Sequence, residues 1–215
     1  VIVGFGRKVI FELRKRLTAA QGYWFDFTRA VKTSGFTSSG SLTLAGTGKS
    51  GFDYLPIRPA RARETLRDLP IKDHSEYVFV DLGSGKGRML FLAAEFPFES
   101  IEGVEFAMEL HAKAVENIAR CRRVRRKCDR IRSIHIDAVD YQFPLRNLVI
   151  YVFNPFGPAV LSKVLSNLRA TLDAHPRHVI LALVTPESAG AIDGLNWLSC
   201  YRKTPRYHIY ETQIR

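Results

Sequence analysis

Cysteine, methionine and tryptophan are scarce in this 215-residue chain, with three Cys, two Met and two Trp. Cys121, Cys128 and Cys200 include no C-x-x-C pair, and an odd count does not make a disulfide framework. Free thiols in a reducing, cytoplasmic setting are therefore expected, and a zinc or other metal site is not. Long apolar runs are missing as well. No stretch approaches the roughly 18 to 20 apolar residues of a membrane span. The opening VIVGFGRKVIF has the look of a secretory leader, but Arg7 and Lys8 interrupt it and no small-residue cleavage site follows. Acidic residues are the minority, 21 against 32 Lys and Arg, and the net charge of +11 makes an anionic partner worth weighing. With 46% hydrophobic residues the chain can bury one sizeable core, and a second full domain is not expected.

The most informative stretch is VFVDLGSGKGRMLFLAAEF, residues 78–96. Val78 to Leu82 has the β-branched, apolar character of a strand buried on both faces. Gly83, Gly85 and Gly87 follow at alternate positions, and from Arg88 the apolar residues Met89, Leu90, Leu92 and Ala93 recur at helical spacing. Strand, glycine turn and helix start make a place where backbone can touch a ligand and where amides favour an anion. The dinucleotide fingerprint is G-x-G-x-x-G, whereas this loop reads Asp81 followed by G-x-G-x-G. Eighteen residues after Gly87, Glu105 closes a second strand-like run, where an acid can accept both hydroxyls of a ribose.

Along the chain, residues 5–20 read as a basic amphipathic helix, and the Gly-, Ser- and Thr-rich residues 33–51 as a long loop or cover. Residues 1–50 are thus an N-terminal helix and loop extension, and 51–215 the main domain. Tyr54-x-Pro56 is extended, and Pro59 can open a helix to about Leu69. Strands are expected at 78–82, 100–105, 131–136, 148–153 and 178–184, with helices at about 108–120 and 159–172 between them. Trp197 to Tyr201 and Tyr207 to Thr212 form a closing hairpin. The fold class is α/β: one doubly wound, mostly parallel seven-stranded sheet with helices on both faces and a C-terminal antiparallel hairpin. Its ligand crevice belongs at the carboxyl ends of the strands.

Two further features carry chemistry. The run LVIYVF ends in Asn154-Pro155-Phe156-Gly157, a turn in which the Asn154 oxygen and Pro155 carbonyl can accept N–H bonds from an amine and aim its lone pair. An Asn-Pro turn ending a strand is the plainer alternative. Arg120, Arg122, Arg123, Arg125, Arg126 and Lys127 crowd into eight residues. They are either a solvated helix end or a phosphate-binding surface.

The loop DLGSGKG resembles the first motif of the class I S-adenosylmethionine-dependent methyltransferases. Asn154-Pro155-Phe156 resembles the (D/N)PP(Y/F) motif of those that act on amines, with Phe156 and Gly157 departing from its last two positions. FVDLGSGKGR, GVEF and the F-G-P turn are most similar to the seven-strand histone-lysine methyltransferases of the disruptor-of-telomeric-silencing type, over about residues 54–185. The resemblance implies S-adenosylmethionine as cofactor and S-adenosylhomocysteine as product. It implies contacts from Tyr54, Pro56, Asp81, Gly83, Ser84, Gly85, Gly87, Arg88, Glu105, Phe106, Asp137, Ala138 and Asn154, with Asp137 receiving the adenine amine. Asn154, Pro155 and Phe156 would be the catalytic turn, acting on a protein amine such as lysine, though the histone target itself does not carry over. Tyr54 has a packed loop aromatic as its alternative, and Asp137 a turn aspartate. A nucleic-acid N-methyltransferase using Arg120 to Lys127, and a non-catalytic S-adenosylmethionine-binding protein, stand as the other readings. The glycine spacing disfavours a nicotinamide dehydrogenase.

Overall fold

Continuous apolar runs bury strands on both faces, and the three central strands here are all of that kind. The structure is a computed structural model describing residues 19–43, 53–122, 124–153, 156–184, 189–190, 192 and 194–213. The strands are β1 (Tyr77–Leu82), β2 (Ser100–Glu105), β3 (Ile131–His135), β4 (Asn147–Phe153), β5 (Val179–Val184), β6 (Leu198–Lys203) and β7 (Tyr207–Thr212). They form one seven-stranded sheet in the order β3-β2-β1-β4-β5-β7-β6. The first five are parallel, and β7 joins β5 antiparallel to start the closing hairpin. The chain order reverses at β1, flanked by β2 and β4, so a crevice opens at the carboxyl end of β1.

Two apolar layers cover the sheet. On one face Phe79, Tyr151 and Ile180 meet α2 (Pro59–Arg67) through Ala62 and Leu66, and α3 (Arg88–Ala93) through Met89 and Leu92. On the other, Val80, Ile150 and Leu181 meet α5 (Pro158–Ala174) through Leu161, Val164 and Leu168. Pro59 and Pro158 each stand in the first turn of their helix, where a missing N–H costs nothing. Between β2 and β3 runs α4 (Met108–Arg120).

Three differences from the sequence reading have physical causes. Residues 19–29 are helical (α1), although Gly22 and a run of aromatics give no helical signal. Tertiary packing decides it: Phe25 is buried in the core, and a Cβ on Gly22 would lie 3.2 Å from an Arg88 guanidinium nitrogen. Within 33–43 there is a 3-10 turn at Ser39–Ser41, and Thr37 bridges to Tyr54. Strand β6 extends to Lys203 because a bulge between Cys200 and Arg202 resets its register. The expected helix over 5–20 falls almost wholly outside the described residues.

Gly103, in the middle of β2, has Ser84 folded onto it. An added Cβ would come within 2.6 Å of Ser84 Oγ, 2.8 Å of its Cβ and 2.9 Å of Leu90 Cδ1. Gly103→Ala should therefore destabilise the chain by about 1–3 kcal/mol, the usual cost of overpacking. Urea unfolding checks this, and an unchanged midpoint would show that Ser84 and its loop can simply move aside.

Candidate active site

The turn after β1 depends on its glycines. Gly83, Gly85 and Gly87 all have positive φ, at 79°, 55° and 85°, a region other residues enter at a cost. The turn is tied to β2: the Gly83 and Ser84 amides donate to the Val104 carbonyl at 2.9 and 3.0 Å. The Gly85 amide donates to Glu105 Oε2 at 2.8 Å, and the Ala107 amide to Glu105 Oε1 at 2.9 Å. These bonds aim the Glu105 carboxylate beside the glycine turn at the end of β2, with lone pairs left for a ligand's hydroxyls. They also use the Gly83, Ser84 and Gly85 amides internally, so the anion seat expected there is largely closed.

Asp81 stands on the neighbouring strand, paired with Gly103 on β2 and Tyr151 on β4. It is 3% exposed, and its carboxyl is pushed up to about 8, first by burial and then by the nearby Glu105. Burial also raises Glu105, against the pull of its amide bonds. Two acids held this way favour a cationic or hydroxyl-bearing ligand.

Tyr54 lies over the glycine turn. A Cβ on Gly85 would fall 2.2 Å from Tyr54 Cε2, and the Tyr54 hydroxyl donates to the Thr33 carbonyl at 2.7 Å. Lys86 Nζ sits 4.7 Å from the ring centre. Pro56 is half-buried close by in sequence. Arg88 takes a different direction from the expected ligand contact. Its guanidinium donates to Thr33 Oγ1 at 2.7 Å, Ser34 Oγ at 2.6 Å and the Ile57 carbonyl at 3.3 Å, and it pairs with Asp26 at 3.3 Å. Asp26 in turn accepts the Thr33 and Ser34 amides. Arg88 thus ties α1, Thr33, Ser34 and Ile57 together beside the turn.

On the other side of Glu105, Phe106 is half-buried, and its carbonyl lies 3.0 Å from His135 Nε2. Asp137 accepts the Val139 amide at 3.1 Å, as a turn aspartate does, and Ala138 is buried. Phe156 is half-buried and packs on the α5 layer, whereas Asn154 and Pro155 lie outside the described residues. Two residues not singled out by the sequence reading stand near Asp81: Tyr151 is its register partner, and the charge of Arg61 is felt at the Tyr151 phenol. Tyr151 had the appearance of strand filler, and Arg61 that of an ordinary helix-surface cation.

The arginine run lies elsewhere. It leaves the C-terminus of α4, its Lys127 amide donates to the Ala94 carbonyl just after α3, and the Arg130 carbonyl accepts from Ile101 at the start of β2. That is the amino edge of the sheet, opposite Glu105. Arg120 pairs with Glu116 and Arg126 with Asp129, while Arg122, Arg125, Lys127 and Arg130 are exposed and Arg123 lies outside the described residues. Among the described residues no cluster of His, Cys, Asp or Glu could hold a metal, and no helix is long and apolar enough to cross a membrane.

The raised Asp81 carboxyl has a measurable consequence. An unfolded aspartate titrates near 3.9, so between about pH 4 and 8 the folded chain keeps a proton that the unfolded chain has released. Stability then falls as pH rises through that window, by up to about 1.4 kcal/mol per pH unit. Thermal melts of ligand-free protein from pH 5 to 8 should show Asp81→Asn gaining on the wild type as pH rises. Parallel curves would place the titration elsewhere.

No family model matches the chain, and no curated protein does. Solved structures share its fold. An RNA methyltransferase from Salinibacter ruber in complex with S-adenosyl-L-homocysteine is 19% identical, with a TM-score of 0.50 over 74% of this chain and 92% of that one. The PH0226 protein from Pyrococcus horikoshii OT3 is 15% identical, with a TM-score of 0.53 over 74% and 92%. A predicted N6-adenine-specific DNA methylase from Listeria monocytogenes is 15% identical, with a TM-score of 0.54 over 74% of this chain and 51% of that one. The chain has the Rossmann-like methyltransferase fold: a seven-stranded, mostly parallel sheet finished by the antiparallel β5-β7-β6 edge.

Proposed function

We propose that this chain is an S-adenosylmethionine-dependent methyltransferase acting on a nitrogen. The observation that carries the reading is the Glu105 carboxylate, held by the Gly85 and Ala107 amides beside a G-x-G-x-G turn at the point where the strand order reverses. The residues fit that cofactor. Glu105 offers acceptor lone pairs to a ribose diol, Asp81 offers a buried acid to a cation, and Tyr54 covers the turn, with Pro56 two residues further along the chain. Phe106, which follows β2, and Asp137 and Ala138, which follow β3, would line the adenine in this reading.

When bound, the cofactor supplies an electrophilic methyl group on a sulfonium. The chain has to exclude water and orient the acceptor. Asn154 and Pro155 follow β4, next to β1 in the sheet, and their oxygens would accept the N–H bonds of a neutral amine and direct its lone pair. Phe156 would pack against the acceptor. The resemblance to lysine methyltransferases makes a protein amine one acceptor.

A nucleic-acid base is the second, and a surface feature favours it. Tyr23, Trp24 and Phe27 on α1 are 62%, 67% and 71% exposed, and α1 adjoins the arginine run where the Arg122 amide donates to the Arg29 carbonyl. Exposed aromatics beside cations suit single strands. The names of the Salinibacter and Listeria proteins point the same way. The run is separated from Glu105 by the six residues of β2, about 20 Å, so it would grip a strand well away from the reacting base.

One experiment addresses function and acceptor together. Labelled S-adenosylmethionine is incubated with wild type or Asn154→Ala and a lysate split into protein, RNA, DNA and small-molecule fractions. Wild type should label one fraction. Asn154→Ala should lose roughly a hundredfold or more in turnover, with cofactor affinity kept within about tenfold. Label in no fraction counts against the enzyme, and equal loss of cofactor and activity makes Asn154 a structural residue.

A further inference from the structure

The most exposed large apolar side chains of the described residues all belong to the N-terminal segment. Tyr23, Trp24 and Phe27 lie on α1, Phe36 and Leu55 are each 63% exposed, and no other exceeds 56%. Bulky apolar groups left in solvent on one segment call for a partner. Thr37 and Tyr54 pair antiparallel and exchange backbone hydrogen bonds at 3.2 and 2.8 Å, which sets Phe36 opposite Leu55. Successive side chains on an extended strand point to opposite faces. With the Tyr54 ring on Gly85, Phe36 and Leu55 therefore look outward above the glycine turn. Asp53 braces this ledge by accepting from the Ser39 amide at 2.9 Å and its hydroxyl at 3.0 Å.

Helix α1 joins the ledge to the arginine run. At one end Gly22 packs against the Arg88 guanidinium, whose other bonds go to Ser34 and Ile57. At the other, the Arg29 carbonyl accepts the Arg122 amide at 2.9 Å. The step from Gly22 to Arg29 rises about 10 Å. Along it the Trp24 and Phe27 rings stand 5.9 Å apart and 31° from parallel. Every exposed residue of α1 is uncharged, the others being Ala19, Ala20 and Gln21. Cations gather past its carboxyl end, at the exposed Lys32, Arg122 and Arg125. A helix lying in a membrane surface flanks its apolar face with lysine and arginine, which α1 does not do. Aromatic platforms in a row with cations at one end suit a linear polyanion that carries flat groups.

We propose that α1 and the outer face of the Phe36–Leu55 ledge form a base-stacking track, which leads a single-stranded nucleic acid from the arginine run to the mouth of the crevice. The inference rests on the nucleic-acid reading of the acceptor and deepens it. The substrate is a single strand long enough to hold run and crevice at once. A free nucleotide is too short, and a duplex keeps its bases stacked on one another. The run takes phosphates, an affinity that salt weakens, and the aromatics take bases, an affinity that it does not.

Fluorescence anisotropy of cofactor-free protein tests the track with a labelled, mixed-sequence RNA of about 12 nucleotides, within the roughly 4 to 16 of single-strand sites. The RNA is used alone and annealed to its complement. Wild type should prefer the single strand by tenfold or more. Trp24→Ala and Phe36→Ala should each weaken it by about tenfold, with the slope of log affinity against log salt unchanged. Arg122→Gln combined with Arg125→Gln should flatten that slope. All four side chains stand in solvent, so thermal melts of the variants should match the wild type. Equal binding of strand and duplex, or aromatic variants that bind like the wild type, overturns the track. So does a wild type that ignores the RNA and binds vesicles of anionic phosphatidylglycerol through Trp24. S-adenosylhomocysteine binding, measured alongside, separates this inference from the cofactor reading. If it is intact while RNA binding fails, the track falls and the methyltransferase reading stands. If RNA binds as expected and S-adenosylhomocysteine does not, the track stands and the methyltransferase reading falls.

Discussion

Two carboxylates buried side by side set the terms for the rest of the molecule. Asp81 and Glu105 stand at the carboxyl ends of adjacent parallel strands, both inaccessible, and Glu105 adds to the burial that makes Asp81 costly to ionise. A fold built for stability alone would place apolar residues there, since an unpaired buried acid is costly. Glu105 recovers part of that cost through the Gly85 and Ala107 amides. Those bonds require the turn to bend as it does, and the bend requires glycine at 83, 85 and 87. Asp81 recovers nothing from the described residues. The protein keeps an acid in want of a partner at the point where the strand order reverses.

The N-terminal segment is organised by a second buried charge. Arg88 opens α3, and its guanidinium gathers Asp26, Thr33, Ser34 and Ile57 from a stretch that otherwise has little core of its own. Arg29 does the same lower down, sharing Glu95 with Arg63 of α2. The outcome is a cover whose position depends on ion pairs and hydrogen bonds. Tyr54 rests on the glycine turn because Thr33, itself bonded to Arg88 and Asp26, holds its hydroxyl. Cover and crevice are therefore coupled through one arginine.

Much of the fold was legible because a parallel sheet writes itself as apolar runs separated by helical periods. The runs at 78–82, 100–105, 148–153 and 178–184 admit few other arrangements, and Pro59 and Gly87 mark helix starts by their own stereochemistry. The glycine turn and Glu105 were legible for the same local reason. What could not be read involves partners far apart in sequence. Arg88 follows the loop directly and so looks like a ligand contact, yet the groups it bonds lie 31 to 66 residues upstream. Tyr151 sits inside LVIYVF and is indistinguishable there from core filling until β4 is laid beside β1. The arginine run advertises its charge but not its edge of the sheet, which follows from α4 leading away from the crevice. Helix α1 has no propensity signal, because its formation depends on Phe25 and on Gly22 fitting against Arg88.

The central claim is that the crevice over Glu105 is built for S-adenosylmethionine. Calorimetric titration of S-adenosylhomocysteine and, separately, of NAD into the wild-type chain and Glu105→Ala tests it most directly. The wild type should bind the first and not the second, and Glu105→Ala should weaken that binding by about 1.5–3 kcal/mol, the loss expected for hydrogen bonds to a charged group. No binding of S-adenosylhomocysteine to the wild type, or tight binding of NAD in its place, would contradict the account.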